Sequence, residues 1–167
     1  MGTITPDMLG RWFDEYGSRL ALYARQWLPA GAAEDTVQEV FIRLLRQGGP
    51  PQSVSGWLFR SVRNAAMSEL RSSRRRRRHE QRRADGRSEW FEPRSQDLID
   101  AAAAQAALES LARPQREVIV MRIWGGLTLQ EIAEIVGSPI STVFSRYRAA
   151  LAALRERMAA PCKAKTN

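Results

Sequence analysis

The sequence has few of the residues that most catalytic and metal centres use. It contains one cysteine, Cys162, and one histidine, His79, among 167 residues. A single cysteine excludes an internal disulfide framework and a cysteine-cluster zinc site. No His, Cys and Asp residues have metal-ligand spacing, and no phosphate-binding glycine loop occurs. We therefore expect a protein with no metal and no cofactor, and not an enzyme.

Long apolar runs are also missing. No stretch approaches the roughly 20 apolar residues that a transmembrane helix needs. The first residues, MGTITPDMLGRW, lack a basic segment followed by an apolar one, so we expect no secretory signal. Hydrophobic residues still make up 44% of the chain, which is enough for a packed core. These features predict a cytoplasmic protein without membrane insertion.

The excess of positive charge is confined to one stretch. The formal net charge is +8, and residues 60–83 hold ten arginines against Glu69 and Glu80. That stretch accounts for the whole excess. Its densest part is the unbroken run of arginines at 74–78. Such a localised field favours a polyanion or an anionic membrane surface as a partner.

Apolar spacing in the first half predicts three helices. The first carries apolar residues at steps of three and four from Leu9 to Trp27, and residues 29–31 break it. The second begins near Ala33. A loop follows at 47–56, and the third helix begins at Trp57 and runs into the arginines. The outer face of the second helix is acidic or polar and carries Glu34, Asp35, Gln38 and Glu39. From composition alone, we interpret it as an ordinary solvated face.

The second half predicts a helix-turn-helix. Residues 80–96 lack periodicity and are interpreted as a linker, in which Trp90 and Phe91 are expected to touch the protein's own surface. Helices over 101–111 and up to residue 124 follow. Thr128 and Glu131 have capping-box spacing, Gly137 ends that helix, and a proline at 139 begins the next.

The outer face of the last helix favours DNA contact. Thr142, Ser145 and the two arginines Arg146 and Arg148 can reach base edges and phosphates. Residues 138–155 contain no acid, so no carboxylate opposes a phosphate there. The alternative is an ordinary capped helical hairpin on a solvated surface.

Three segments, in this order, resemble an ECF-type (extracytoplasmic function) sigma factor of the sigma-70 family. AEDTVQEVFIRLLR (33–46) is similar to region 2.2, residues 55–77 to regions 2.3–2.4, and residues 111–156 to region 4. The resemblance covers most of residues 7–158. It implies an all-α fold of two small helical domains joined by a flexible linker. Region 2 would occupy 1–79, the linker 80–99, region 4 100–160 and a tail 161–167.

The resemblance also implies partners and roles. The chain would bind core RNA polymerase through the β′ clamp and β flap, recognise −35 and −10 promoter elements and promote DNA melting. An anti-sigma or other regulatory protein is a further expected partner. The loop at 47–56, with Asn64, would capture an unpaired base, and extrusion of a base costs a few kcal/mol. Residues Asp35, Gln38 and Glu39 would dock on the clamp. The −35 residues would be Pro139, Thr142, Phe144, Ser145, Arg146 and Arg148. The −10 and phosphate residues would be Arg60, Arg63, Asn64, Arg71, Arg74, Arg75, Arg76, Arg77 and Arg78.

Two positions depart from the family pattern. Ser68 stands where the family often has Asp, and Phe144 where it often has Lys or Arg. A phenylalanine can contact a thymine methyl group but cannot hydrogen-bond guanine. The −35 sequence therefore does not follow from the resemblance.

Two other functional classes make different demands on the chain. A helix-turn-helix repressor or activator with a basic arm would bind duplex DNA tightly by itself, whereas a sigma factor would bind core polymerase tightly. A recombinase with a C-terminal helix-turn-helix needs a nucleophile domain with parallel strands, which the helical first half disfavours.

Overall fold

Six helices make up most of the described chain. The structure, a computed structural model, describes residues 2–79 and 106–159, and every regular element in these ranges is helical. The first half contains α1 (Pro6–Ala24), α2 (Ala30–Leu45) and α3 (Val54–His79). The second contains α4 (Arg113–Ile123), α5 (Leu129–Val136) and α6 (Ile140–Ala159), with a helical turn at 106–109 before α4. The predicted all-α class is confirmed.

The first two helices begin earlier than the apolar pattern predicts. Thr5 caps α1 by accepting a hydrogen bond from the Met8 amide at 3.3 Å, and Pro6 occupies the first turn. α2 begins at Ala30, after Pro29 as the N-cap residue. Residues 29–31 therefore open the second helix rather than only separating it from the first. A proline is tolerated there because first-turn amides have no intrahelical acceptor.

α3 begins at Val54 rather than at Trp57. The Ser53 side chain accepts a hydrogen bond from the Gly56 amide at 3.2 Å, which satisfies one of the free amides of the first turn. The loop between α2 and α3 is correspondingly shorter than predicted. α3 then continues through the arginine run to His79, so the backbone of that run is helical. The side chains of residues 76–79 lie outside the described part.

The helix-turn-helix has the predicted caps at the two ends of its first helix, but its second helix begins one residue later than predicted. Thr128 and Glu131 form a reciprocal capping box at the start of α5. Gly137 ends that helix with φ 66°, a left-handed conformation that glycine adopts without Cβ strain. Pro139 precedes α6 instead of occupying its first turn. Arg116 lies in α4, and its guanidinium donates to three carbonyls in the segment that precedes the helix, those of Leu108, Glu109 and Leu111.

A single apolar core runs through both halves of the chain. Tyr23 and Phe59, from the first half, are fully buried, and their ring centroids lie 5.1 Å apart. The Phe59 ring also lies against Gly125 of the second half. The two halves are thus packed together. The predicted domain boundaries stay a prediction, and the linker at 80–99, with Trp90 and Phe91, lies outside the described residues.

Candidate nucleic-acid interface

The face of α6 predicted to contact DNA is largely open to solvent. Pro139, Ser145 and Arg148 are exposed, and Phe144 is 49% exposed, which is high for so large an apolar side chain. Thr142 is half-buried. The opposite side of the helix is anchored in the core by fully buried residues, among them Val143. α6 therefore presents an accessible surface on a fixed support.

Two arginines of α6 have different surroundings. The Arg146 guanidinium is half-buried and lies 3.5 Å from Ser138 Oγ, at the limit of a hydrogen bond. Arg148 is exposed, with its guanidinium carbon 5.9 Å from the centroid of the Phe144 ring, within cation–π range. Phe144, Ser145 and Arg148 also line one shallow depression. An aromatic ring and a guanidinium are thus presented side by side.

Several of the α3 arginines that the sequence predicts to bind phosphates are exposed, and their role stays a prediction. Arg71, Arg74 and Arg75 are exposed on the C-terminal part of the helix. Near its N-terminal end, Arg60 is also exposed and lies 3.8 Å from the carboxylate of Glu134 in α5. The side chains of Arg76, Arg77 and Arg78 lie outside the described residues.

Arg63 differs from the other α3 arginines because it points into the packed interior. Its side chain is 19% exposed, and its Nε donates to Glu117 Oε1 of α4 at 2.6 Å. The same oxygen accepts a hydrogen bond from the Tyr23 hydroxyl at 2.9 Å. Burial, and then the charge of Glu117, raises the pKa of Tyr23 well above its usual value, so the phenol stays a donor. In this arrangement Arg63 binds a carboxylate, not a phosphate.

The loop before α3, together with the first turn of α3, faces the second half of the chain. Ser53 Oγ donates to Glu131 Oε1 at 3.1 Å, and Ser55 Oγ donates to the Gly125 carbonyl at 2.9 Å. A groove lies between the loop and α5, and its walls include both loop side chains and α5 carboxylates. It is lined by Pro51, Gln52, Ser53, Gly56, Trp57, Arg60, Glu131, Glu134 and Ile135.

The acidic face of α2 lies on a separate groove. Asp35, Gln38 and Glu39 are exposed, as predicted, and Glu39 pairs with Arg43 one turn later at 3.3 Å. Asn64 of α3 lines the same groove as Asp35 and Glu39. The structure therefore places Asn64 beside the residues predicted to dock on polymerase. The loop that was predicted to capture a base together with Asn64 lines the other groove, beside α5.

The described residues show neither a membrane-crossing helix nor a metal-ligand cluster. None of the helices in 2–79 and 106–159 has both the length and the hydropathy that a bilayer crossing needs. Within the same ranges, no three His, Cys, Asp or Glu side chains are grouped as a metal site would require.

Comparison with known families settles the identity of the two halves. The family described as Sigma-70 region 2 matches residues 12–76, and the family described as Sigma-70, region 4 matches residues 101–154. The matches follow the order that the sequence predicts and together cover most of the chain. The protein belongs to the sigma-70 family of RNA polymerase sigma factors.

Relatives of this sigma factor carry ECF-type names. It is 26% identical over 166 residues to the ECF RNA polymerase sigma factor SigK of Mycobacterium ulcerans, covering 89% of this chain and 84% of the relative. It is 31% identical over 123 residues to the ECF RNA polymerase sigma factor EcfG of Rhodopseudomonas palustris, covering 70% of this chain and 66% of the relative. The predicted ECF type is confirmed.

Two solved structures have a similar fold. The sigma factor RpoE of Bartonella quintana, solved in complex with the anti-sigma factor NepR, matches with a TM-score of 0.74 and 22% identity, covering 94% of this chain and 99% of that one. CnrH, solved in complex with the cytosolic domain of CnrY, matches with a TM-score of 0.59 and 25% identity. The match covers 92% of this chain and 89% of the CnrH chain.

Sequence reasoning missed the residues that join the two halves of the sigma factor. Glu117 and Glu134 had no assigned role, Tyr23 belonged only to the apolar stripe of the first helix, and Arg63 was predicted to bind DNA. One signal was present: Glu117 immediately precedes the apolar run VIVM at 118–121, all of which is buried. An acid at the edge of such a run needs a cationic or hydrogen-bonding partner, because an unpaired buried carboxylate is very costly.

Proposed function

We propose that the sigma factor divides its tasks among three surfaces. The acidic face of α2 docks on the β′ clamp of core RNA polymerase, and the region 4 half has a further contact on the β flap. The loop before α3, with the basic part of α3, binds the −10 element and supports melting. The exposed face of α6 reads the −35 element. The protein acts in the cytoplasm with the polymerase and is not an enzyme.

The main support for this proposal is the different distribution of charged side chains on α2 and on α6. Exposed carboxylates on α2 would be repelled by DNA phosphates, so Asp35 and Glu39 suit a protein partner. The exposed face of α6 has no acid from residue 138 to residue 155, and it offers hydroxyl and guanidinium groups of the kind that read bases and bind phosphates. Surfaces with opposite requirements are thus kept on different helices.

A regulatory protein is a further proposed partner. The RpoE structure contains the anti-sigma factor NepR, and the CnrH structure contains the cytosolic domain of CnrY. Exposed apolar side chains on the first half offer a surface for such a protein, since Phe13, Ile42 and Leu45 are each more than two-fifths exposed. A groove between α1 and α2 is lined in part by Phe13 and Leu45.

Charge reversal on α2 tests the docking surface. We expect Asp35→Arg combined with Glu39→Arg to abolish co-purification with core polymerase and run-off transcription from the promoter upstream of the protein's own gene. Both side chains are exposed, so the fold should persist, as circular dichroism would show.

The control variant makes the same change in net charge elsewhere on the first half. Asp14→Arg with Glu15→Arg, both exposed on α1, should leave polymerase binding within about twofold of wild type. Unchanged co-purification of the α2 variant would refute the docking surface. Equal loss in both variants would show an effect of net charge alone.

A further inference from the structure

Two apolar side chains form a strip on the otherwise polar face of α6. Ile140 and Phe144 are each 49% exposed, although isoleucine and phenylalanine are among the residues most often buried. They are four positions apart, so they lie one above the other on the same side of the helix. Val143 and Ala150 are fully buried and anchor α6 in the core. The strip is therefore available for contact with a partner.

The surroundings of Phe144 favour DNA as that partner. The Arg148 guanidinium carbon lies 5.9 Å from the ring centroid, and Phe144, Ser145 and Arg148 line one shallow depression. No acid occurs from residue 138 to residue 155. A surface whose charge has only the positive sign attracts a polyanion. An apolar ring beside a cation matches the edge of a base beside a phosphate.

A phenyl ring can select one chemical group in the major groove. It has no hydrogen-bond donor and no conventional acceptor, so it does not pair with the oxygen and nitrogen atoms of guanine, adenine or cytosine. The apolar group in the groove is the C5-methyl group of thymine. A cytosine that is methylated at C5 presents the same group. The ligand chemistry that fits Phe144 is therefore a pyrimidine with a C5-methyl group.

We propose that Phe144 is a specificity-determining residue that recognises the C5-methyl group of one pyrimidine in the −35 element, while Arg148 binds a neighbouring phosphate. Phe144 lies near the start of α6, and the N-terminal residues of a recognition helix are the ones that contact base edges. Arg148 lies one turn further along. This inference rests on the proposed function of α6 and deepens it by naming the chemical group that is read.

Base analogues in the −35 element test the methyl contact directly. The polymerase holoenzyme first selects its preferred duplexes from a library that is randomised over the −35 element. Each selected thymine is then replaced by uracil, which lacks only the C5-methyl group. At one position we expect wild type to lose affinity by roughly fourfold, the effect of one buried methyl group, and Phe144→Ala to lose none. The same loss in both proteins, or no loss at any position, would overturn the proposal.

Methylated cytosine distinguishes the two sources of the methyl group. At the same position, a pair of 5-methylcytosine with guanine is compared with a pair of cytosine with guanine. A gain on methylation assigns the contact to the methyl group of either base, whereas a preference for thymine without that gain assigns it to thymine. The control variant, Ile123→Ala, removes a similarly exposed apolar side chain from the end of α4 and should keep the wild-type loss on uracil.

Substitution of Phe144 by arginine gives a second readout. Phe144→Arg supplies a guanidinium, which can bond to O6 and N7 of guanine. When the library selection is repeated with this variant, we expect guanine to replace the methylated pyrimidine at that one position and the other positions to stay unchanged. Selection of identical sequences by wild type and Phe144→Arg would contradict the assignment.

The role of Arg148 is tested by its dependence on sequence and salt. Arg148→Ala should weaken binding to thymine and uracil duplexes in equal proportion, and the dependence of log K on log salt should be flatter by ~0.9. A loss restricted to one base pair, with unchanged salt dependence, would contradict phosphate binding by Arg148.

The selection also separates failure of the methyl contact from failure of the proposed function. If the wild-type holoenzyme selects a −35 sequence but shows no response to uracil, the methyl contact is wrong and the sigma function stands. If wild type neither binds core polymerase nor selects DNA, the proposed function fails and the methyl contact fails with it.

Discussion

Arg63 and Glu117 form a partly buried ion pair, with 2.6 Å between Nε and Oε1, between helices that the sequence assigns to different domains. Arg63 was predicted to bind DNA, and its guanidinium is instead directed at a carboxylate that also accepts from Tyr23. The pair links a helix of the first half to a helix of the second half. It also makes their packing sensitive to the loss of one charge.

Removal of one member of this pair should cost more than removal of both. We expect Arg63→Met to lower the free energy of unfolding by about 3 kcal/mol, because Glu117 would remain buried without its cation. Adding Glu117→Met should restore a large part of that loss. Urea denaturation of the two single variants and the double variant gives the coupling energy. Strictly additive losses would contradict a direct interaction.

Gly125 should not tolerate a side chain. A Cβ atom there would lie 2.5 Å from the Met121 carbonyl oxygen and 3.0 Å from two carbons of the Phe59 ring. We expect Gly125→Ala to lower the free energy of unfolding by about 2 kcal/mol through overpacking at the junction of the halves. Gly10→Ala is the control, since a Cβ at that position of α1 meets no atom within 4 Å. It should be neutral or stabilising by up to about 1 kcal/mol in the same denaturation series.

Arg146 should contribute to sequence discrimination. We expect Arg146→Ala to reduce the preference for the correct −35 sequence over single-base variants by about 1–3 kcal/mol, the usual contribution of a good base contact. Competition binding of the polymerase holoenzyme to a set of −35 variants measures this. Arg155→Ala, at an exposed position further along α6, is the control and should leave discrimination intact. Equal loss on all sequences would reassign Arg146 to a phosphate.

The arginines of α3 should contribute affinity without sequence preference. Arg74→Ser with Arg75→Ser removes two exposed cations. We expect weaker promoter binding on every −10 sequence, and a dependence of log K on log salt that is flatter by ~0.9 for each lost duplex phosphate contact. Titrations at several salt concentrations test this. A loss restricted to particular −10 sequences would indicate base reading instead.

The capping box of α5 predicts an acid-sensitive helix end. The amide of Thr128 donates to Glu131 at 2.8 Å and holds the pKa of Glu131 below its ordinary value. A folded-state pKa below the unfolded one means that the stabilisation is present above the unfolded pKa and is lost as pH falls through the folded value. We expect Glu131→Gln to lower Tm at pH 6 and to have a smaller effect near pH 3. Thermal unfolding at both values tests the sign, and an equal effect at both would contradict it.

The sequence by itself determined the all-α class and the helix-turn-helix with its capping box and left-handed Gly137, while the family came from the resemblance of three ordered segments. These features depend on residues within a few positions of one another, and periodicity and cap chemistry are local. Apolar spacing did not predict where α2 and α3 begin. Both helices start before their apolar stripes, after N-cap residues Pro29 and Ser53 that the sequence analysis did not identify.

Only the tertiary structure decided which charged residues are available. Arg63 and Arg60 are similar in sequence context, yet one is 19% exposed and the other 52% exposed. Glu117 contacts partners 54 and 94 positions away in the chain. Contacts at such separations follow from the packing of whole helices, which no spacing pattern encodes. The packing therefore determines that Arg63 pairs with a carboxylate of the second half while Arg60 stays largely exposed to solvent.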